Sequence, residues 1–384
     1  MSEANFSFFQ DIVRNRHELA REFAGDRKII GYFCDFVPEE LLHAAGYTPI
    51  RITGTKKPIS LADRYLQSNV CSFARGCLEL VLDGTYRYLS GVVIPHSCDV
   101  ITKMNDLWAY RVDYPEFHHY LWYPHKAGDP NARTAFIDEL RRLKSCLEDF
   151  TGSKISDDSL RESIGCYNES RRLLKRAYEM RMGSEPAMSG AESLALTLSA
   201  MLSPRQEHSK KLGELLDALD DSQGQSPAIP ASASGKRPRI LVSASVLDDE
   251  DLVSAIEELG GIVVCDDVCT GIRYFWGEVS EADTEGDPLE ALADRYLNKI
   301  PCPRTFESGA RIDFMMDNVR DYSVDGVIMY ILRCCDAHLF EMPGLRDKLK
   351  AGGTPVLNLQ GDHSASISEE TRNRIAAFIE MLGG

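Results

Sequence analysis

The eleven cysteines of this 384-residue sequence are the side chains best suited to chemistry, and their placement matters more than their number. Several fall just past short apolar runs that read as buried strands. Cys34 follows residues 29–33, Cys98 lies three residues beyond Pro95, Cys265 and Cys269 follow 262–264, and Cys334 and Cys335 follow 327–332. In an open α/β sheet the carboxyl ends of the strands are where ligands bind, so thiols from separate segments can converge there. Thiolate is the ligand that iron–sulfur clusters require, and a cluster needs convergence in space rather than a compact run of sequence. Cys71 opens the helical segment CSFARGCLELVLDG, where the helix dipole favours ionisation of a thiol. The plainer reading, a cysteine as a small buried apolar residue, applies to each of the eleven. Spacing alone does not choose between the two: no CxxC pair occurs, and Cys265-x-x-x-Cys269 lacks the second pair or histidine of a zinc site.

The elements that must carry these residues alternate between strand and helix. Residues 28–52 read as strand, helix and strand, with Pro38 opening the helix and Gly46 closing it. A further buried strand is expected at 91–95. Residues 131–219 carry charged and apolar residues at helical spacing, as in FIDELRRLKSCLEDF, and read as a helical segment of the first domain. Between 221 and 237 the composition turns to Ser, Pro, Gly and Ala, which marks a linker. Beyond it, strands are expected at 239–243, 262–265, 326–332 and 355–359, separated by helices. The expected architecture is α/β, with two doubly wound parallel-sheet domains, 1–220 and 238–384, and a ligand cleft between them.

A formal net charge of -16, from 59 acidic and 43 basic residues, disfavours nucleic acid and anionic membrane surfaces as partners. The start, MSEANFSFFQDIVRNRHELAREF, has no uninterrupted apolar core of a secretory signal, and no stretch reaches the roughly 18 apolar residues of a membrane span. A cytoplasmic location is expected, in which cysteines serve as thiols, metal ligands or redox groups rather than disulfides.

Five separated motifs resemble the 2-hydroxyacyl-CoA dehydratase and benzoyl-CoA reductase family. They are GYFCDFVPEELLHAAGYTPIRI, YLQSNVCSFARGCLEL, GVVIPHSCDVITKMNDLW, IEELGGIVVCDDVCTGIRYF and VDGVIMYILRCCDAHLFEMPGL, in that order. The resemblance runs from about Lys28 to the C-terminus. It implies a four-iron four-sulfur cluster held by Cys71, Cys98 and Cys335, with Asp336 selecting Cys335 over its neighbour Cys334. Near the C-terminus the family often has Gly-Gln before a Thr-Arg run, whereas here Ile367-Ser368 precedes TRNRIAAF, so no contact of that Gly-Gln is carried over.

The resemblance also implies a reaction. A separate ATP-hydrolysing iron–sulfur activator supplies one strongly reducing electron, which passes through the cluster to an acyl-CoA thioester; a ketyl radical then expels the 2-hydroxyl group and yields an enoyl-CoA. The expected partners are a paralogous subunit or a second copy of the chain, the activator and the acyl-CoA. Family alternatives are a benzoyl-CoA reductase subunit, a reductase with a double-cubane cluster, and a non-catalytic electron relay. His96, two residues before Cys98, is the candidate for proton transfer, against a structural histidine. Arg273 is the candidate for a CoA phosphate, against pairing with Asp266 or Asp267. Cys34 and Cys269 are near-cluster thiols outside the ligand set, and Cys302 sits in a loop. No GxxxxGK[ST] loop occurs, so ATP hydrolysis is assigned to the activator.

Overall fold

The computed structural model describes residues 5–24, 28–221, 237–306 and 308–383; the expected linker, apart from its two end residues, lies outside them. Among the described residues eight strands form two parallel sheets of four. The first holds β1 (Ile29–Tyr32), β2 (Thr48–Arg51), β3 (Gly91–Pro95) and β4 (Phe117–Leu121), in the order β2-β1-β3-β4. The second holds β5 (Arg239–Ala244), β6 (Ile262–Asp267), β7 (Gly326–Leu332) and β8 (Val356–Gly361), in the order β6-β5-β7-β8. Both sheets therefore follow one winding pattern, and in each the strand order reverses beside the first strand. Such reversals open a crevice at the carboxyl edge. The expected α/β fold with two parallel sheets and intervening helices is the observed one.

Strands buried on both faces explain the continuous apolar runs. In the first sheet Ile29, Val92 and Ile94 belong to one core, while Ile30, Tyr32 and Val93 belong to the other. That second core is closed by helix Ala132–Thr151, which buries Phe136, Ile137, Leu140, Leu143 and Leu147 as one stripe. Each such side chain contributes about 1.5–3 kcal/mol by leaving water. Helix Asp157–Glu179 starts where Ser156 Oγ accepts from the Ser159 amide at 3.1 Å. Helix Gly190–Ala200 starts with a reciprocal capping box of Ser189 and Glu192.

The helices do not all stay with the sheet nearest in sequence. Helix Gly190–Ala200, upstream of β5, packs on β6 and on helix Asp251–Glu258, and Glu257 accepts from the Gly190 amide at 2.7 Å. Helix Pro288–Asn298, downstream of β6, packs on helix Ala132–Thr151 beside the first sheet, with Arg133 Nε 2.6 Å from Asp294. Among the described residues no helix is long and apolar enough to cross a membrane.

Candidate metal centre

Cys71, Cys98 and Cys335 occupy one kind of position: each is the residue immediately before a helix. The helices are Ser72–Leu82, Asp99–Arg111 and Asp336–Ala351. Cys98 follows β3 and Cys335 follows β7, the equivalent strands of the two sheets. Before Cys335 the chain turns through Cys334 at φ 61°, a left-handed conformation that bulky residues rarely adopt. Arg304 fixes the turn at Cys98 by donating to the Ser97 carbonyl at 2.9 Å and to Asp99 at 2.8 Å.

The structure sets Cys71 beside Cys335 and places Cys98 near enough to feel the charge of Cys335. Cys71 and Cys335 interact directly: with Cys71 as the donor, Cys335 is held down at about 7, although burial opposes this, and Cys71 is pushed well above the usual thiol range. Burial pushes Cys98 up, against the pull of the Ile101 and Val100 amides, and it feels the charge of Cys335. Amides of the first helical turn, from Ala74, Ile101 and His338, face the three sulfurs without closing a side-chain cap. Positive helix ends of this kind favour anionic sulfur.

This donor set fits an iron–sulfur cluster. Among the described residues the three sulfurs do not form a group lying wholly within 4.8 Å, the compactness that one ion asks for. A cluster instead takes each thiolate on a different iron. A compact group does occur elsewhere: ligand-type atoms of Asp248, Asp249 and His363 lie within 4.8 Å of one another. Lys56 Nζ is 2.7 Å from Asp249, and Arg16 stands 3.9 Å from Asp248, so cations of the chain already balance that charge.

Other thiols and charged groups surround the same edge. Cys34 Sγ is 3.3 Å from Ser97 Oγ, and Cys269 Sγ accepts from Arg51 at 3.1 Å. Burial pushes Cys302 up to about 11 against the pull of Arg273. Lys299 Nζ lies 2.5 Å from Asp35, and burial nevertheless lowers it to about 8. Arg273 is 1% exposed, with Nε 3.1 Å from Asp267, and among the described residues none of its guanidinium nitrogens completes a hydrogen bond. Of its two weighed partners, the Asp267 carboxylate is present. His96 follows β3; its Nδ1 is buried without a partner among the described residues. The His96 ring lies 4.5 Å from that of His125, whose Nε2 donates to the His96 carbonyl at 3.2 Å.

Several residues that hold the site together were not singled out from sequence. Glu39 and Glu40 are buried and pair with Arg205 and Arg171. Asp248, pushed up by burial but pulled further down by His363, is held well below the usual carboxylate range. The one signal for the first pair was the Pro-Glu-Glu wording itself; for the second there was none.

Thiols gathered at the carboxyl edge of two parallel sheets define an α/β protein with a candidate metal–thiolate centre. The family model described as 2-hydroxyglutaryl-CoA dehydratase, D-component, matches residues 34–382, a span that includes all three cysteines, and the chain belongs to that family. It is 27% identical to one of the subunits of benzoyl-CoA reductase from Thauera aromatica, over 98% of this chain and 96% of that protein. It is 26% identical to the (R)-phenyllactyl-CoA dehydratase beta subunit of Clostridium sporogenes, over 99% of both chains. The beta subunit of lactoyl-CoA dehydratase from Anaerotignum propionicum is 25% identical, again over 99% of both.

Proposed function

We propose that this chain is the iron–sulfur subunit of a 2-hydroxyacyl-CoA dehydratase, with Cys71, Cys98 and Cys335 holding a four-iron four-sulfur cluster. The observation that carries the reading is the convergence of three helix-start thiols contributed by both halves of the chain. When bound, the cluster supplies a one-electron route at low potential. On this reading the thioester takes up one electron, the resulting ketyl radical loses the 2-hydroxyl group and the β-proton, and the electron is returned, so enoyl-CoA forms without net oxidation. The helix-start amides offset the charge of the thiolates. His96, with an unpartnered buried nitrogen beside the Cys98 turn, is the group proposed to move a proton. Arg273, whose nitrogens complete no hydrogen bond among the described residues, is proposed to meet a phosphate of the CoA.

The relatives are named as subunits, which supports a partnered enzyme. The proposed partners are a related subunit or a second copy of the chain, and an ATP-dependent iron–sulfur activator. The proposed division of labour keeps 1–220 and 238–384 as two jaws joined through 221–237. The test is anaerobic purification with iron and sulfide counts and electron paramagnetic resonance, followed by assay with activator, ATP and reductant on a panel of acyl-CoA thioesters. One cubane per chain and ATP-dependent turnover of a 2-hydroxyacyl-CoA are expected. Turnover without activator would overturn the mechanism, and turnover of aromatic thioesters alone would move the chain to the reductase branch.

A further inference from the structure

Cys71 and Cys335 belong to opposite halves, so whatever locks the halves together also sets the distance between their sulfurs. Asp248, in the loop after β5, divides its carboxylate between them. Oδ2 accepts the Gly54 amide hydrogen, from the loop after β2, at 2.9 Å, while Oδ1 pairs with His363 Nε2 at 2.6 Å. His363, in the loop after β8, donates its own main-chain N–H to Ser72 Oγ at 2.9 Å. Ser72 is the first residue of the helix that Cys71 begins. The His363 ring stands edge-on to Phe73, with centroids 5.2 Å apart. Gly54 leaves space for this ring, since a Cβ there would come within 2.6 Å of His363 Cε1. Asp248, His363 and Ser72 are all buried, so these bonds are sheltered from competition by water.

We propose that the Asp248–His363 pair is a positioning device that sets the start of the Cys71 helix against the half carrying Cys335. It rests on the reading of these cysteines as cluster ligands. Nδ1 of the His363 ring is buried without a partner among the described residues, a costly arrangement. The chain nevertheless keeps the imidazole where a side chain of its size spans from Asp248 to the Cys71 helix. Neither Asp248 nor His363 reaches a proposed ligand directly. Their action runs through the Gly54 amide and Ser72, as hydrogen-bond partners around metal ligands commonly act.

The test compares Ser72→Ala, His363→Gln and Asp248→Asn with Leu143→Ala, a core change in helix Ala132–Thr151 that lowers stability away from these contacts. Two readouts are taken under anaerobic conditions. In metal-free protein, limited oxidation with diamide followed by peptide mass spectrometry gives the share of each disulfide. After reconstitution, a ferrous chelator gives the rate of iron release. The parent and Leu143→Ala are expected to form mainly the Cys71–Cys335 disulfide and to release iron at similar rates. The three variants are expected to lose that preference and to release iron about tenfold faster. The proposal is overturned if they match Leu143→Ala in either readout. Should the parent bind no iron, the cluster reading fails by itself, and the disulfide shares still decide the positioning role.

Discussion

The Glu40 carboxylate and the Tyr296 hydroxyl, 256 positions apart in sequence, meet in the interior through a hydrogen bond of 2.9 Å. The other oxygen of Glu40 is paired with Arg171. Its neighbour Glu39 repeats the pattern, 2.8 Å from Arg205 and accepting from the Tyr274 hydroxyl at 2.7 Å. The acidic pair after Pro38 is thus a clasp that ties the first sheet to the long helices and to the second half.

Breaking that clasp on one side leaves a buried cation. Glu40→Ala strands Arg171, which is 6% exposed, and is expected to cost about 3–5 kcal/mol in urea unfolding. Glu40→Leu combined with Arg171→Met is expected to recover much of the loss. A single substitution costing under about 1 kcal/mol would show that the pair behaves like a surface ion pair.

Acid sensitivity is expected from His208, which is fully buried and touches the Leu196 carbonyl and Ser199 hydroxyl, each at 3.0 Å. Burial first, and then nearby Arg205, pushes it down to about 3. Between that value and the ordinary 6.5, the unfolded chain binds more protons than the folded one, so stability is full above pH 6.5 and falls as the pH drops. This one group should remove about 1.4 kcal/mol between roughly pH 7.5 and 5.5. His208→Gln cannot titrate, and urea unfolding at both pH values should show it losing less by that amount; equal losses in the two proteins would refute the assignment.

The adjacent pair Cys334 and Cys335 offers a sharp test of the ligand set. Cys334→Ser changes only the left-handed turn residue and is expected to keep the parent's iron and sulfide content. Cys335→Ser, like Cys71→Ser and Cys98→Ser, is expected to lose cluster or yield an altered resonance signal. The reverse pattern would move the ligand by one residue.

The interior strands were legible because burial on both faces writes an unbroken apolar run, as in Val327–Leu332. Edge strand β4 was not. Its sequence FHHYL alternates buried and half-buried residues, and two histidines and a tyrosine hide a strand with one wetter face. The strand-end places of Cys98 and Cys335 followed from the order of elements, but the approach of Cys335 to Cys71 is a property of how the halves pack. The buried carboxylates were harder still. Acidic residues at a helix start normally face solvent and favour the dipole there, so nothing local announces that Glu39 and Glu40 point inward to Arg205 and Arg171. Asp248 and His363 are single residues in distant loops, and only the fold makes them a pair.

Two sheets wound in the same order give the chain an internal repeat of design. That repeat makes Cys98 and Cys335 equivalent corners, one from each half. Cys71 breaks the symmetry. It precedes a helix lying between the second and third strands of its sheet, whereas the residues before the matching helix Ser308–Asp321 of the other half read Thr-Phe-Glu in sequence, without a thiol. The two halves therefore contribute unequally, two sulfur corners against one, and on the proposed reading a four-iron cluster held by three thiolates would leave one iron without a cysteine.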